Sequence, residues 1–176
     1  MAAPQSSVPD FFRLFDLSAV FDIDLDDLSN RYRELARALH PDRFARGSDQ
    51  ERRLAAQKMA SLNEAYQTLK DPLSRARYML MLRGLDADQS ATDSAFLVEQ
   101  MELREQLESV RRGEEPFAPF AESVYAALGE RERELRAQFA QTPWADATVR
   151  RLVQETQFLR RLLQQIQDLE ESNSLQ

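Results

Sequence analysis

Two segments of the chain carry an apolar residue at every third or fourth position, the pattern of a helix with one buried face. The positions are Leu28, Tyr32, Leu35 and Leu39 in the first segment, and Ala55, Met59, Leu62, Tyr66 and Leu69 in the second. The segments are joined by the short polar loop 41–47. They therefore predict an antiparallel helical hairpin whose apolar faces pack together.

Polar capping residues mark the ends of these helices. Asp24 is a good N-cap for the first helix, which ends near His40 because Pro41 stops it. Ser48 followed by Glu51 three residues later is a capping box and begins the second helix. The hairpin thus extends over about 50 residues, from Asp24 to the end of the second apolar segment.

Two short helices flank the predicted hairpin. Asp10 caps a short apolar helix in which Phe11, Phe12, Leu14 and Phe15 lie. After the hairpin, Asp71 and Pro72 form an N-cap and a first-turn proline, and they begin a helix that ends at Gly84. Residues 10–84 are therefore predicted to form the first domain, after an N-terminal tail at 1–9.

The second half predicts another helical domain. Residues 85–92 are small and polar, as in a linker. Three helices with short connections follow, at about 93–112, 116–141 and 144–171, and they favour an antiparallel bundle over 93–171. Residues 172–176 are expected to be a frayed tail. The predicted fold class is all-α, a helical hairpin followed by a three-helix bundle.

Composition and charge exclude several function classes. The chain has no cysteine and one histidine, which argues against disulfides, thiolate catalysis and cysteine- or histidine-ligated metals, so no metal or cofactor is expected. Residues 1–84 carry a charge of +1 and residues 85–176 a charge of −8, which argues against nucleic acid as the main ligand. No signal peptide or membrane span is predicted, and the expected location is cytoplasmic.

The single histidine belongs to the tripeptide His40-Pro41-Asp42, at the corner where the first hairpin helix ends. Three interpretations are open: an acid–base pair of an enzyme, a structural helix stop, and a protein-contact loop. A general base needs a pocket and a positioned partner, yet the tripeptide lies on a corner of a small hairpin without a nucleophile motif. The pattern therefore favours a protein-contact loop, and the chain is not expected to be an enzyme.

Residues 10–84 resemble a J-domain, the module by which co-chaperones engage DnaK-type ATP-dependent chaperones. The matching residues are Arg31-Tyr32-Arg33-Glu34-Leu35-Ala36, His40-Pro41-Asp42-Arg43-Phe44, Leu62-Asn63-Glu64-Ala65-Tyr66-Gln67-Thr68-Leu69 and Asp71-Pro72-Leu73-Ser74-Arg75-Ala76. The resemblance implies that Asp42 reaches an arginine of the chaperone's ATPase module. The chaperone-binding residues are then expected to be His40, Pro41, Asp42, Arg31, Arg33 and Arg37, the arginines forming a cationic surface for an acidic patch.

The helix after the linker has more apolar residues than one buried face requires. At about 100° per residue, Phe96, Leu103, Leu107 and Val110 share one direction. A second apolar group lies mostly on the other side, bordered by Glu102, Glu105 and Glu108. Its members are Leu97, Val98 and Met101. This second face is either covered by another part of the protein or is a partner surface with a carboxylate rim.

The last helix also carries one apolar residue away from its core face. Its core residues are Leu152, Thr156, Leu159, Leu163 and Ile166. Phe158 projects about 120° from their centre. Such a phenylalanine is a candidate hot-spot residue, although it can equally pack on the middle helix.

Residues 95–108, Ala-Phe-Leu-Val-Glu-Gln-Met-Glu-Leu-Arg-Glu-Gln-Leu-Glu, extend the resemblance to the HscB family of J-type co-chaperones in iron–sulfur cluster biogenesis. In that family the helical domain binds the scaffold IscU, and the J-domain delivers it to the chaperone HscA. The implied scaffold-binding residues are Leu97, Val98, Met101, Glu102, Glu105 and Phe158. One departure is Ser109, where bacterial relatives often carry an acid. The N-terminal cysteine pairs of eukaryotic relatives, and with them a zinc site, are absent.

The function expected from the resemblance is a non-enzymatic co-chaperone that binds an iron–sulfur scaffold and stimulates an HscA/DnaK-type ATPase. One alternative is a generic J-protein that delivers unfolded clients. The other is an autonomous hydrolase that uses His40 and Asp42. This interpretation is the least favoured of the three.

Overall fold

The computed structural model describes residues 10–44, 47–89 and 94–174, and within these ranges it is helical with no strand. Its α-helices are α1 (Phe11–Leu14), α2 (Leu25–Ala38), α3 (Asp49–Lys70), α4 (Pro72–Leu82), α5 (Ser94–Arg111), α6 (Phe117–Phe139) and α7 (Asp146–Ser174). A short 3₁₀ helix, Pro41–Phe44, lies between α2 and α3. The predicted all-α fold class, a hairpin followed by a three-helix bundle, is confirmed.

The chain divides into two compact units, residues 1–85 and 86–176. The predicted tail at 1–9 and residues 90–92 of the predicted linker lie outside the described residues. Within the described part of that linker, Ala87 is buried, and its carbonyl accepts a hydrogen bond from the side chain of Gln154 on α7 at 3.0 Å. This part of the segment therefore packs on the second unit.

Capping interactions begin the helices of the first unit where the sequence predicts them. The Asp24 carboxylate accepts hydrogen bonds from the backbone N–H groups of Asp26 and Asp27. Ser48 and Glu51 form the complete capping box at the start of α3. These contacts satisfy N–H groups that have no partner within a helix.

Helices α2 and α3 pack as the predicted hairpin, and α1 and α4 both contact α3. The buried core of the unit consists of Phe11, Phe12, Phe15, Leu28, Leu62, Ala65, Leu69 and Tyr78. Leu14, which the sequence grouped with the phenylalanines of α1, is instead exposed. Helix α4 ends at Leu82, two residues before Gly84, whose left-handed backbone (φ +73°) lets the Leu85 N–H bond to the Leu80 carbonyl.

Tyr78 of α4 fixes the start of α1. Its ring stacks on Phe11 at a centroid distance of 4.6 Å, and its hydroxyl oxygen accepts a hydrogen bond from the Phe11 N–H at 2.8 Å. The substitution Tyr78→Phe leaves that buried N–H without its acceptor, which costs about 1–3 kcal/mol. We expect urea denaturation to show this loss. Tyr125→Phe, at an exposed tyrosine of α6, is the control and should lose much less.

The same tyrosine makes the unit sensitive to high pH. Burial raises the pKa of Tyr78 above its ordinary value, and the hydrogen bond from the Phe11 N–H offsets part of this rise. The hydroxyl therefore ionises more readily in the unfolded chain. Its contribution to stability is complete below about pH 10, the unfolded pKa, and is lost as the pH rises through the higher folded pKa. The Tyr78→Phe variant should not show this part of the loss of stability at high pH.

The second unit is a three-helix bundle in which α6 and α7 make the most extensive contact and α5 packs on both. Its buried core is Leu107, Val110, Phe120, Ala121, Val124, Leu159, Leu162, Leu163 and Ile166. The Glu155 carboxylate is buried but paired, since Arg131 of α6 and Arg151 of α7 each lie 2.6 Å from one of its oxygens. Burial of a carboxylate requires such compensation.

Some details of the elements differ from the sequence prediction. The loop 41–47 contains the 3₁₀ helix, which continues the chain in a tighter turn after the proline. Helix α7 begins at Asp146 rather than near Trp144, because Trp144 is buried against Phe139 at a centroid distance of 5.0 Å. The predicted frayed tail, 172–176, overlaps the last residues of α7. Helix α7 continues to Ser174, and residues 175–176 lie outside the described residues.

Candidate functional site

The tripeptide His40-Pro41-Asp42 forms a corner held by local hydrogen bonds. Helix α2 ends at its C-cap Leu39, and the Arg43 N–H then bonds to the His40 carbonyl at 3.0 Å. The His40 Nδ1 accepts from the Asp42 N–H at 3.3 Å and lies 3.5 Å from Asp42 Oδ2. Accepting at Nδ1 places the proton of the neutral ring on Nε2.

The Asp42 carboxylate itself faces solvent, with its side chain 91% exposed. Its backbone lies in the 3₁₀ turn and bonds to the His40 ring, so a partner does not have to order the tripeptide before using the carboxylate. The corner therefore presents an exposed anionic group on a hydrogen-bonded backbone at the end of α2.

The three predicted docking arginines do not behave alike. Arg37 is exposed, and its side chain makes no hydrogen bond or ion pair with any other described residue. Arg33 is also exposed, and it bonds only locally on α2, to the Ser29 carbonyl at 3.2 Å and to Asn30 Oδ1 at 2.8 Å. Both guanidinium groups are thus on the solvent side of the helix.

Arg31 differs from the other two, because its guanidinium makes contacts inside the unit. Its Nη1 donates to the carbonyls of Phe15 and Asp16 at 2.9 Å, and its Nε bonds to the Asp27 carboxylate at 3.0 Å. The hydrogen bond to Asp27 raises the pKa of Arg31 above its ordinary value. The sequence grouped Arg31 with Arg33 and Arg37, whereas the structure shows it tying α2 to the turn after α1.

We expect Arg31→Ala to lower the melting temperature of the protein, since it removes the donors that hold the carbonyls of Phe15 and Asp16. Arg31→Lys should not restore stability, because an ammonium lacks the planar fork that reaches both carbonyls and a carboxylate. Arg37→Ala is the matched control and should leave thermal melting, followed by circular dichroism, unchanged. If Arg31→Ala leaves the melting temperature unchanged and weakens chaperone stimulation, Arg31 contributes to docking and not to stability.

On the second unit, α5 presents the second apolar face that the sequence predicts. Leu97, Val98 and Met101 are 46%, 54% and 60% exposed. The carboxylates of Glu102 and Glu105 are exposed beside them, and neither makes a side-chain contact with another described residue that would neutralise it. We name Leu97, Val98, Met101, Glu102 and Glu105 the α5 surface. It joins exposed apolar area to unpaired negative charge, which is typical of a protein-binding site.

Phe158 does not project freely from α7. It is half-buried, and its ring meets Phe96 of α5 edge to face, with centroids 5.9 Å apart. The Arg104 guanidinium of α5 lies 5.5 Å from the Phe158 ring centroid. The aromatic partner of Phe158 is thus on α5 and not on the middle helix. The sequence shows no signal for the Arg104 contact, which depends on how α5 and α7 are aligned.

In the described ranges, no three or more His, Cys, Asp or Glu side chains are grouped so that they could hold a metal ion. No described helix is both long and apolar enough to cross a bilayer.

Comparisons with known proteins match both units. Residues 13–78 match the family model described as the DnaJ domain, and residues 92–167 match the model described as the HSCB C-terminal oligomerisation domain. A co-chaperone protein HscB homolog from Shewanella loihica is 46% identical over 134 residues, which cover 74% of this chain and 77% of that protein.

Solved structures are similar over nearly the whole chain. Chaperone HscB from Vibrio cholerae has a TM-score of 0.80 at 38% identity, covering 93% of this chain and 99% of that one. The human co-chaperone protein HscB has a TM-score of 0.78 at 28% identity, covering 95% and 84%. The resemblance inferred from the sequence is confirmed by these comparisons.

Proposed function

The chain belongs to the HscB family of J-domain co-chaperones, and we propose that it binds an IscU-type iron–sulfur scaffold protein and delivers it to an HscA/DnaK-type chaperone in the cytoplasm. One observation carries this proposal. Each unit presents an exposed surface of different chemistry, an anionic corner with cations on the first unit and the α5 surface on the second. Two surfaces of unlike chemistry suit two different partners.

The first unit would engage the chaperone. The exposed Asp42 carboxylate can form a charge-assisted hydrogen bond with an arginine of the ATPase module. Arg33 and Arg37 on α2 would meet acidic groups of the chaperone, which raises the association rate and sets the orientation of docking. The family is one of co-chaperones and not of enzymes, so ATP hydrolysis belongs to the partner and the chain stimulates it by binding.

The second unit would engage the scaffold through the α5 surface. Leu97, Val98 and Met101 supply apolar area that a partner can bury, at about 25 cal/mol per Å². Glu102 and Glu105 border this area and favour a partner whose apolar patch has basic side chains nearby. An unfolded client offers no fixed arrangement of charges, so the carboxylate rim favours a folded partner over the generic J-protein alternative.

Binding both partners with one chain has a consequence for the reaction. When the scaffold is bound to the second unit, the J-domain brings it near the chaperone at a high effective concentration. Neither contact then has to be tight by itself. The co-chaperone would lower the scaffold concentration at which the chaperone responds.

Two assays with purified proteins test the proposal against the generic alternative. Calorimetric titration with a folded IscU-type scaffold should show saturable binding with one site per chain. An aggregation assay with a chemically denatured client should show little protection by the chain alone. Strong protection of unrelated denatured clients without scaffold binding would favour the generic J-protein, and ATP turnover by the chain alone would favour the hydrolase reading.

A further inference from the structure

Arg104 lies at the edge of the α5 surface. At about 100° per residue, its side chain leaves α5 roughly 20° from the direction of Leu97 and roughly 60° from that of Met101. It is exposed, and Phe158 lies on its other side, towards the bundle core. Arg104 is therefore a cation beside a surface whose other charged residues, Glu102 and Glu105, are anionic.

The contact with Phe158 restricts the orientation of this cation. The guanidinium carbon is 5.5 Å from the centre of the Phe158 ring, within the range of a cation–π interaction. The ring is held in turn by its edge-to-face contact with Phe96. A long arginine side chain that is already ordered loses less conformational entropy when a partner binds it.

The N–H donors of Arg104 remain available to a partner. Among the described residues, its guanidinium makes no hydrogen bond and no ion pair. Other arginines of this segment are engaged, since Arg111 pairs with Glu108 at 2.8 Å and Arg112 pairs with Glu114 at 2.7 Å. The pairing with Arg111 also occupies Glu108, the acidic residue one turn after Arg104.

We propose that Arg104 is a further scaffold-binding residue, which donates hydrogen bonds to a carboxylate of the partner while Phe158 holds its guanidinium in place. The planar guanidinium matches a carboxylate in a two-point contact. This inference rests on the proposed function. It adds that the partner surface carries an acidic group near Arg104 and basic groups near Glu102 and Glu105, so that charge fixes the orientation of binding. Phe158 then acts as a positioning residue.

The test is calorimetric titration of the full-length chain with a purified IscU-type scaffold. Arg104→Ala should weaken binding about tenfold or more, as expected for loss of a charge-assisted contact. Arg104→Lys should recover only part of it, because lysine keeps the charge and loses the fork. Arg133→Ala is the matched control, an exposed arginine of α6 that bonds to the Gly129 carbonyl of its own helix, and it should bind like the wild type.

A double-mutant cycle separates the role of Phe158 from that of a direct contact. If the ring orients the guanidinium, Arg104→Ala should cost less than about threefold in a Phe158→Leu background. Effects that simply multiply would contradict the positioning role of Phe158. The melting curves of the Arg104 variants should agree closely with that of the wild type, because the Arg104 side chain is exposed.

The outcomes distinguish this inference from the proposed function. If the wild-type chain does not bind the scaffold, the proposed function fails and the inference fails with it. If the wild type binds and Leu97→Ala with Met101→Ala weakens binding, but Arg104→Ala binds equally well or better, only the inference is overturned. Tighter binding of Arg104→Ala would identify Arg104 as a group that the partner has to displace.

Discussion

Asp42→Ala is expected to reduce the stimulation of an HscA/DnaK-type ATPase by this chain to the basal rate of the chaperone. The side chain is 91% exposed, so its removal leaves the core intact. A partner arginine would lose its charged acceptor. Truncating one member of such a pair costs about 3 kcal/mol, or roughly a hundredfold in docking affinity. Steady-state ATP turnover at fixed chaperone concentration measures the effect.

Two companion variants sharpen this test. His40→Gln removes the Nδ1 acceptor of the Asp42 N–H and should also lose stimulation, because the corner is no longer held. Glu64→Ala removes an exposed carboxylate of α3 and should stimulate like the wild type. All three variants should keep the wild-type helicity and melting temperature. Full stimulation by Asp42→Ala would show that docking does not depend on the tripeptide.

The second large effect is expected at the α5 surface. Leu97→Ala combined with Met101→Ala should weaken scaffold binding by about 3 kcal/mol, roughly a hundredfold, because both side chains are about half exposed and would be buried by the partner. Stimulation of the chaperone by the chain without scaffold should not change. Calorimetric titration and ATP turnover measure the two properties separately.

A double variant of the same composition is available as a control. Leu25 and Met81 lie in the first unit and are each 45% exposed. Leu25→Ala with Met81→Ala should therefore bind the scaffold like the wild type. Equal weakening by both double variants would mean that scaffold binding depends on general surface hydrophobicity, and the α5 surface would lose its specific role.

The local features of the fold could be predicted from the sequence because their causes are local. A capping box needs only Ser48 and Glu51 three residues apart, and the end of α4 needs only a residue that accepts a left-handed backbone, here Gly84. The apolar spacing of α5 likewise separates its buried Leu107 and Val110 from its exposed α5 surface. Each of these predictions depends on residues within one or two helical turns.

The long-range contacts of large side chains could not be predicted in this way. Arg31 bonds to carbonyls of the turn after α1, 15 and 16 residues earlier in the chain, and no periodicity shows where that turn lies. Arg104 and Phe158 are on different helices, and their contact depends on the alignment of α5 with α7. The sequence therefore did not show the contacts of Arg31 inside the first unit or the packing partner of Phe158, and it gave no role to Arg104.

We propose that one chain both binds the scaffold and triggers the chaperone, and a mixing experiment with two variants tests whether both surfaces must be on the same chain. Asp42→Ala keeps the α5 surface, whereas Leu97→Ala with Met101→Ala keeps the docking corner. Chaperone ATP turnover is measured at a scaffold concentration that is sub-saturating for the wild-type chain. If the surfaces must be tethered, the mixture should stimulate no better than the Leu97→Ala, Met101→Ala chain alone. Restoration of wild-type stimulation by the mixture would show that the two surfaces do not have to be on one chain.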